Sequence, residues 1–215
     1  MAGMQASPRW PDGLLAALDD ALRAFGAPAS AARPSPADDV IDDGLTPAER
    51  RSSAALLRVN HAGEMAAQAL YSGQSLFARS EETRRQLQIA AREERDHLAW
   101  CASRLTELGG RPSALDPLWY GGSFCIGMLA GACGDSLSLG FVAETERQVE
   151  AHLSDHLGRL PAADRKSSAI LARMAEDESH HGTMASLAGG AELPSPIRRC
   201  MAFGGELLRR IALLV

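Results

Sequence analysis

The chain has 215 residues, which is most simply one domain with room for a sizeable core. Hydrophobic residues make up 46% of it and aromatic residues only 5%, and alanine and leucine outnumber the β-branched residues, a balance that favours helices over strands. The net charge of −5 gives no overall basic field, so nucleic acid is not expected as a partner.

Residues 1–44 are predicted to form an N-terminal helix and a linker. Residues 11–25 place apolar side chains at helical spacing, and the stretch rich in Pro, Ala and Ser that follows is typical of a linker. No uninterrupted apolar segment of a secretory signal is visible, and the four cysteines contain no CxxC pair. We therefore expect a cytoplasmic protein with reduced thiols.

Residues 45–190 are predicted to form a four-helix bundle built from two helical hairpins. Thr46 and Glu49 have the spacing of a capping box at the start of a helix over about 47–79. The second helix is predicted at about 82–108, where "LGGRP" ends it. No segment combines strand-like alternation with turn signals. The predicted fold class is all-α, a ferritin-like bundle with extra N-terminal and C-terminal helices.

The second hairpin is predicted to contain an unusually apolar segment. Residues 118–134 carry no charge and begin one long helix, or two stacked helices, that ends at Pro161, with the last bundle helix at about 162–188. Because seventeen residues are short for a membrane span, we expect a core helix of the bundle. Gly127 and Gly131 would let another backbone or an isoprenoid tail lie close to it.

Residues 191–215 are predicted to form a basic amphipathic helix. Arginines alternate there with apolar side chains, the pattern of a helix that lies on an anionic membrane surface. A capping helix packed on the bundle, with its arginines in solvent, explains the pattern equally well. The residues concerned are Arg198, Arg199, Arg209, Arg210, Leu207, Leu208, Ile211, Leu214 and Val215.

A carboxylate and an imidazole occur three positions apart twice in the chain. Glu94 and His97 lie in "EERDH", and Glu178 and His181 lie in "DESHH". Residues at i and i+3 project from one face of a helix, and an oxygen donor beside an imidazole suits Fe(II), Mn(II) or Zn(II). One such pair is usually a solvated surface pair, but its repetition indicates a shared site.

A further glutamate precedes each pair by about one helix and a turn. Glu64 lies 30 residues before Glu94, and Glu146 lies 32 residues before Glu178. Each hairpin therefore contributes Glu and Glu-x-x-His, the ligand pattern of di-iron and di-manganese four-helix bundles. We predict a two-metal site with these ligands: Glu64, Glu94, His97, Glu146, Glu178 and His181.

Two neighbouring carboxylates offer a competing register. Glu93 could pair with His97, and Asp177 could pair with His180. Only the Glu-x-x-His register keeps the same residue types in both copies, so we prefer it. His180 is then expected at the surface or outside the ligand set.

Other side chains near the predicted ligands have alternative roles. Glu150 is the alternative carboxylate on the third bundle helix. His61 is expected to have a structural or outer-sphere role rather than to be a seventh ligand. His152 is near enough to orient a ligand or donate a hydrogen bond in the site, whereas His156 is expected to be solvated.

Carboxylate-rich coordination with two imidazoles favours iron or manganese over structural zinc. Two adjacent Fe(II) ions can supply two electrons to O₂, while the protein sets access and the pose of the substrate. Iron storage, peroxide reduction and hydroxylation all use such a site, so the ligands do not name a substrate. The apolar segment and the basic C-terminal helix favour an enzyme at the membrane with a lipid-soluble substrate.

Four segments carry these motifs together: "RVNHAGEMAAQALYSGQ" (58–74), "EERDHLAWCASRL" (93–105), "GFVAETERQVEAHL" (140–153) and "MAEDESHHG" (174–182). In motif order, spacing and flanking residues the chain resembles the bacterial demethoxyubiquinone hydroxylases of ubiquinone biosynthesis. The resemblance covers nearly all of residues 45–215, and residues 1–44 contribute little to it.

The resemblance implies a ferritin-like di-iron enzyme attached peripherally to the cytoplasmic face of the bacterial inner membrane. With two iron ions (Fe²⁺/Fe³⁺), O₂ as co-substrate and NADH or another reductant as electron source, it would hydroxylate demethoxyubiquinol, a polyprenyl benzoquinol, to demethylubiquinol. The six predicted ligands match those of the family, and Glu146 and Glu178 would bridge the ions. No GxGxxG fingerprint is present, so the sequence does not identify the reductant. It also does not decide whether the chain forms a homo-oligomer or joins a ubiquinone-biosynthesis complex.

Two other classes of protein remain as alternatives. A rubrerythrin-like iron oxidase would share the ligands but would carry a rubredoxin-type CxxC pair or extra carboxylates, and neither is evident in the sequence. A ferritin-like iron-storage protein gives no reason for the apolar segment and the basic C-terminal helix. A non-catalytic membrane scaffold of the quinone pathway would use metal ions only to hold its helices together.

Overall fold

The computed structural model describes residues 30–215. Its helices are α1 (Pro47–Phe77), α2 (Glu81–Leu108), α3 (Asp116–Ala132), α4 (Asp135–Arg159), α5 (Arg165–Leu187) and α6 (Ser195–Ala212). Within these residues the chain forms no strand, and the all-α prediction is confirmed. The helix predicted at 11–25 lies outside the described residues.

Helices α1, α2, α4 and α5 form the four-helix bundle. Short connections make α1 and α2 one hairpin and α4 and α5 another, and the hairpins meet through contacts of α2 with α5 and of α1 with α4. Two apolar clusters fill the bundle, one around Leu57 and Leu171 and one around Tyr71 and Leu139. On each bundle helix the predicted ligands fall between the residues of these two clusters, which places the ligands midway along the bundle.

The ends of the helices follow from local chemistry. Thr46 and Glu49 form the predicted capping box, since the N–H of Glu49 donates to Thr46 Oγ1 at 3.3 Å and the N–H of Thr46 donates to Glu49 Oε2 at 2.8 Å. Of the two alternatives for the second hairpin, two helices are present. They separate at Gly134, whose φ of +103° is a conformation that side-chain-bearing residues rarely adopt.

The apolar helix α3 packs outside the bundle, so the prediction of a core helix was wrong. It lies along α1, where Gly127 and Gly131 face the backbone of α1 at Leu70 and Gln74. This close backbone neighbour was one of the two predicted occupants of the glycine groove. The opposite face of α3 is in solvent, with Leu129 70% exposed. None of the helices in residues 30–215 has both the length and the hydropathy to cross a bilayer.

The described part of the predicted linker is packed against the bundle. Ala37 lies in the same apolar cluster as Leu57 and Trp100. Asp42 lies 2.6 Å from the guanidinium of the buried Arg104 of α2. Residues 30–45 therefore belong to the packing of the bundle rather than to a free tether.

Helix α6 packs on the bundle, as one of the two alternatives for the C-terminal segment expected. It lies on α1 and α4, and Ala212 is buried against Val59 and Ala62 of α1. Its outer face nevertheless keeps apolar side chains in solvent, including Phe203, which is 70% exposed, and Leu207, which is 46% exposed. The helix is therefore a packed element with an amphipathic free face.

Substitution of Gly127 tests the contact between α1 and α3. A Cβ at residue 127 would meet the backbone of Leu70, so Gly127→Ala should force the helices apart and lower the free energy of unfolding by about 1–3 kcal/mol. Gly122 of the same helix has open space around its Cα, and Gly122→Ala should be neutral or stabilising by about 1 kcal/mol at most. Thermal and urea unfolding of both variants measure the difference, and equal effects would contradict the close packing.

Candidate metal centre

The bundle brings all six predicted ligands together. They form two overlapping groups in which the ligand atoms lie within 4.8 Å of one another. Every member is buried, with at most 8% of its surface exposed. The first group contains Glu64, Glu94, His97 and Glu178, and the second contains Glu94, Glu146, Glu178 and His181.

Two carboxylates belong to both groups. Glu94 and Glu178 are the carboxylates of the two Glu-x-x-His motifs, and they face each other because α2 contacts α5. Glu146 belongs to the second group only. The residues that both groups share are therefore Glu94 and Glu178, whereas the resemblance led us to expect Glu146 and Glu178 as the shared pair.

The imidazole of His97 has one nitrogen toward the cluster and one away from it. Its Nδ1 lies 3.0 Å from Glu94 Oε2, 3.2 Å from Glu178 Oε1 and 3.4 Å from Glu64 Oε2. Its Nε2 lies 3.0 Å from Asp177 Oδ2 on α5. Asp177 therefore holds the ring so that Nδ1 points at the centre, as outer carboxylates do for metal-binding histidines.

The imidazole of His181 is held in the same way, with the roles of α2 and α5 exchanged. Its Nδ1 lies 3.3 Å from Glu178 Oε2 and 3.5 Å from Glu94 Oε1. Its Nε2 is hydrogen-bonded to Glu93 on α2. Each hairpin thus supplies the carboxylate that orients the histidine of the other hairpin.

The sequence did not reveal these roles of Glu93 and Asp177. Both residues were considered only as competing ligands, whereas each binds a histidine 80 or more positions away. The sequence feature that could have revealed them is a pair of adjacent acidic residues, which occurs in both motifs: Glu93 directly precedes Glu94, and Asp177 directly precedes Glu178. Adjacent residues on a helix point in different directions, so the second carboxylate of a doublet reaches a different partner.

Arg33 adds a further layer around Asp177. Its Nη1 donates to Asp177 Oδ2 at 2.8 Å and its Nε donates to Asp96 Oδ2 at 2.7 Å, while its guanidinium lies 4.9 Å from the centroid of the Trp100 ring. Burial by itself would raise the pKa of Asp177. The hydrogen bonds with His97 and Arg33 outweigh this effect, and the pKa of Asp177 falls to about 2. Residues before the bundle thus help to keep this carboxylate charged.

The pKa values show an excess of buried negative charge. Burial, and then the charge of Glu178, raise the pKa values of Glu94 and Glu146 well above the usual range. Burial alone would also raise the pKa of Glu178, but hydrogen bonds with His181 and His97 hold it well below the usual range. Burial lowers the pKa of His181, yet its carboxylate partners raise it to about 10. Divalent cations would balance this charge.

Incompletely paired oxygens support the same conclusion. Each of the four central carboxylates has one buried oxygen that makes no hydrogen bond within residues 30–215, apart from contacts of 3.2–3.5 Å that three of these oxygens share with the Nδ1 atoms of His97 and His181. These oxygens are Glu64 Oε2, Glu94 Oε1, Glu146 Oε2 and Glu178 Oε1. Buried polar atoms normally have partners, and a buried charge is stable only when it is paired or binds a metal ion. Four carboxylates with two imidazoles fit a pair of hard or borderline divalent cations such as Fe²⁺ or Mn²⁺.

Tyr71 is a further polar neighbour that the sequence did not single out. Its side chain is fully buried, and its hydroxyl donates a hydrogen bond to Glu146 Oε1. Burial, and then the charge of Glu146, raise the pKa of Tyr71 well above its usual value, so the phenol stays protonated. Tyr71 therefore fixes one oxygen of Glu146 and leaves the other free for a cation.

The remaining candidates lie outside the centre. His61 is buried 3.2 Å from Asp116, which agrees with a structural role, and Glu150 is exposed. His152 packs against His156, with 3.9 Å between the ring centroids, rather than orienting a ligand. The prediction that His156 is solvated was wrong, since it is 2% exposed and its Nδ1 lies 2.9 Å from Asn60 Oδ1.

Comparisons with known proteins add an independent finding. A family model described as "Ubiquinone biosynthesis protein COQ7" matches residues 51–208. The chain is similar to the 3-demethoxyubiquinol 3-hydroxylase of Nitrosomonas europaea, with 53% identity over 94% of this chain and 97% of the relative. It is also similar to the proteins of that name from Cupriavidus pinatubonensis, with 57% identity over 94% and 98%, and from Azoarcus sp., with 54% identity over 91% and 95%.

Removal of the outer carboxylate at Asp177 tests its role at His97. Asp177→Asn keeps the shape of the side chain but weakens its contact with His97 Nε2, so the affinity for a divalent metal should fall roughly 10- to 100-fold. The control is Glu176→Gln, because Glu176 is exposed and adjacent. Titration of the metal-free protein with Fe²⁺ or Co²⁺ measures the affinities. An unchanged affinity in Asp177→Asn would show that His97 needs no such support.

Proposed function

The chain belongs to the family of the ubiquinone biosynthesis protein COQ7, and we propose on this basis that it is a 3-demethoxyubiquinol 3-hydroxylase. It would hydroxylate the ring of demethoxyubiquinol, a polyprenyl benzoquinol, with O₂ to give demethylubiquinol. The observation that carries the proposal is the buried pair of overlapping Glu/His groups in a chain more than half identical to proteins of that name.

The six side chains would hold two iron ions. Glu64 and His97 belong to one position, Glu146 and His181 belong to the other, and Glu94 and Glu178 are shared; this division follows from the two groups. When bound, the iron pair supplies the redox chemistry that activates O₂. One oxygen atom of O₂ enters the ring and the other leaves as water, so each turnover needs two electrons from a reductant such as NADH and two protons, of which at least one comes from solvent.

The protein's own contribution is to orient and to exclude water. Asp177 and Glu93 hold the two imidazoles with Nδ1 toward the centre, and the burial of all six ligands keeps bulk water away. Met65 and Leu98 directly follow Glu64 and His97 in sequence, and they pack in an apolar cluster with Tyr120 of α3. Apolar contacts thus extend from the centre to the apolar helix, which suits an aromatic ring with a lipid tail.

Peripheral attachment to the cytoplasmic face of the inner membrane is part of the proposal. Trp119 of α3 and Leu208 of α6 pack against the same apolar cluster on α1, and both helices keep large apolar side chains in solvent, among them Leu129 and Phe203. Apolar side chains beside arginines favour the interface of an anionic bilayer. A homo-oligomer or a ubiquinone-biosynthesis complex would cover the same side chains and is the competing arrangement.

Loss of a shared ligand separates an enzyme from a scaffold. Glu178→Gln should reduce hydroxylation by more than roughly 100-fold, because mutation of a residue that merely hydrogen-bonds to a metal ligand already lowers activity by up to that factor. The far-UV circular dichroism spectrum should stay unchanged. Glu176→Gln is the control and should keep full activity. In cells that lack the gene, quinone chromatography should show accumulated demethoxyubiquinone, which wild type and the control remove and Glu178→Gln does not.

Two results would contradict this function. A scaffold would still support quinone synthesis with Glu178→Gln, and an iron-storage protein would leave the quinones of the deletion strain unaltered. Either result would contradict the proposed hydroxylase activity, although the metal centre itself would not be contradicted.

Membrane attachment is tested by the exposed apolar side chains. Leu129→Ser with Phe203→Ser should weaken binding to vesicles of phosphatidylglycerol and phosphatidylcholine roughly tenfold or more, because each large apolar side chain contributes about 1.5–3 kcal/mol when buried. The matched control is Ile41→Ser with Leu187→Ser, two exposed side chains outside α3 and α6. Equal loss in both double variants, or none in either, in a sedimentation assay would exclude this face as the attachment site.

A further inference from the structure

A groove with many arginines lies between α4 and α6, and neither the metal centre nor the hydroxylation uses it. Its volume is about 740 Å³, within the range of about 300–1,000 Å³ that is usual for small-molecule sites. None of the six predicted ligands lines it. The arginines that do are Arg147 and Arg159 of α4 and Arg198, Arg199, Arg209 and Arg210 of α6.

The groove carries an excess of positive charge in an acidic protein. Only three carboxylates line it with the six arginines, namely Glu144, Asp155 and Glu206, whereas the whole chain has a net charge of −5. The excess is therefore local, and it marks this groove as a place where an anion is favoured.

The carboxylates of the groove are already occupied along their own helices. On α4, Glu144 pairs with Arg147 at 2.7 Å and Asp155 pairs with Arg159 at 2.9 Å. On α6, Glu206 pairs with Arg209 and Arg210. Arg198 pairs with Glu192, which precedes α6, at 3.2 Å. In residues 30–215 no ion pair of these arginines crosses from α4 to α6, and the six arginines outnumber the four carboxylates that pair with them.

The floor of the groove is neutral and polar. His152 and His156 lie there, and burial first, then nearby charges that include Arg209 of the opposite wall, lower their pKa values to about 3 and about 4. The imidazoles are therefore uncharged near pH 7 and can exchange hydrogen bonds with a ligand. The Nε2 of His152 is buried and has no hydrogen-bond partner within the described chain.

Arg198 also acts across the groove. After the hydrogen bond from Arg147, the charge of Arg198 is among the causes that lower the pKa of Glu144 on the opposite helix. Gln148 of α4 donates to the backbone oxygen of Arg198 at 3.4 Å. The backbone at Arg198 is thus held against α4, while the guanidinium of Arg198 lies 3.2 Å from Glu192, which precedes α6.

We propose that the groove between α4 and α6 is a binding site for a phosphate-bearing anion, in which guanidinium groups from both helices hold the phosphate oxygens. The planar fork of arginine matches phosphate oxygens with two parallel hydrogen bonds. The width of the groove suits more than one phosphate or a phosphate with an attached group. The ligand is either a soluble phosphorylated compound or the head group of an anionic phospholipid, since the groove adjoins the exposed apolar face of α6.

The test compares two double variants that change the net charge equally. Arg198→Gln with Arg209→Gln removes one guanidinium from each end of the α6 wall. The matched control is Arg85→Gln with Arg165→Gln, two arginines outside the groove with side chains 63% and 62% exposed. Calorimetry measures the binding of inorganic pyrophosphate to the full chain, and sedimentation measures binding to phosphatidylglycerol vesicles. Circular dichroism checks the fold, and Arg199→Gln with Arg210→Gln is the substitute if the first groove variant does not fold.

Two outcomes support the site and identify the source of the phosphate. Binding of one pyrophosphate per chain that weakens roughly tenfold or more in the groove variant, but not in the control, indicates a soluble ligand. Vesicle binding that weakens in the groove variant alone, with no binding of pyrophosphate, indicates a lipid head group. Equal effects of the groove and control variants in both assays would overturn the proposal. Neither assay measures hydroxylation, so failure here leaves the proposed hydroxylase activity untouched.

Discussion

The burial of four carboxylates with two imidazoles in the middle of a helical bundle is the constraint on which the rest of the structure depends. Isolated buried charges are too costly to persist, so each must find a partner. The protein supplies partners for some atoms, as Tyr71 does for Glu146 and Asp177 does for His97. The oxygens that are left without a full partner belong to the two overlapping groups, where cations would complete the balance.

The same charges join the two hairpins. Asp177 of α5 holds His97 of α2, and Glu93 of α2 holds His181 of α5, so neither half of the site is complete without the other. Loss of one partner would leave the other as an uncompensated buried group, which is more destabilising than loss of an exposed ion pair. Arg33 extends this dependence to the segment before the bundle. The packing of the two hairpins and the geometry of the centre thus depend on the same contacts.

Helices α3 and α6 have a different task, because they lie outside the bundle and keep apolar faces in solvent. Glycines at the contact with α1 let α3 lie close, because no side chain separates the two backbones. The small side chain of Ala212 likewise lets α6 pack against α1. The apolar faces then remain free for a lipid or a partner, and the arginines of α6 border the groove beside α4. A polar centre inside and an apolar surface outside fit an enzyme of a lipid-soluble quinol.

The sequence by itself determined the all-α fold, most helix boundaries and the six residues that gather at the centre. These follow from local geometry, since the spacing of apolar residues and of Glu-x-x-His depends only on the repeat of a helix. Only the tertiary structure decided that Glu94 and Glu178 are shared, that Glu93 and Asp177 orient histidines of the opposite hairpin, and that His156 is buried. The physical reason is that these contacts join residues 80 to 96 positions apart, and the packing of one hairpin on the other sets such distances. The placement of α3 outside the bundle has the same origin, because its apolar composition does not say which surface will cover it.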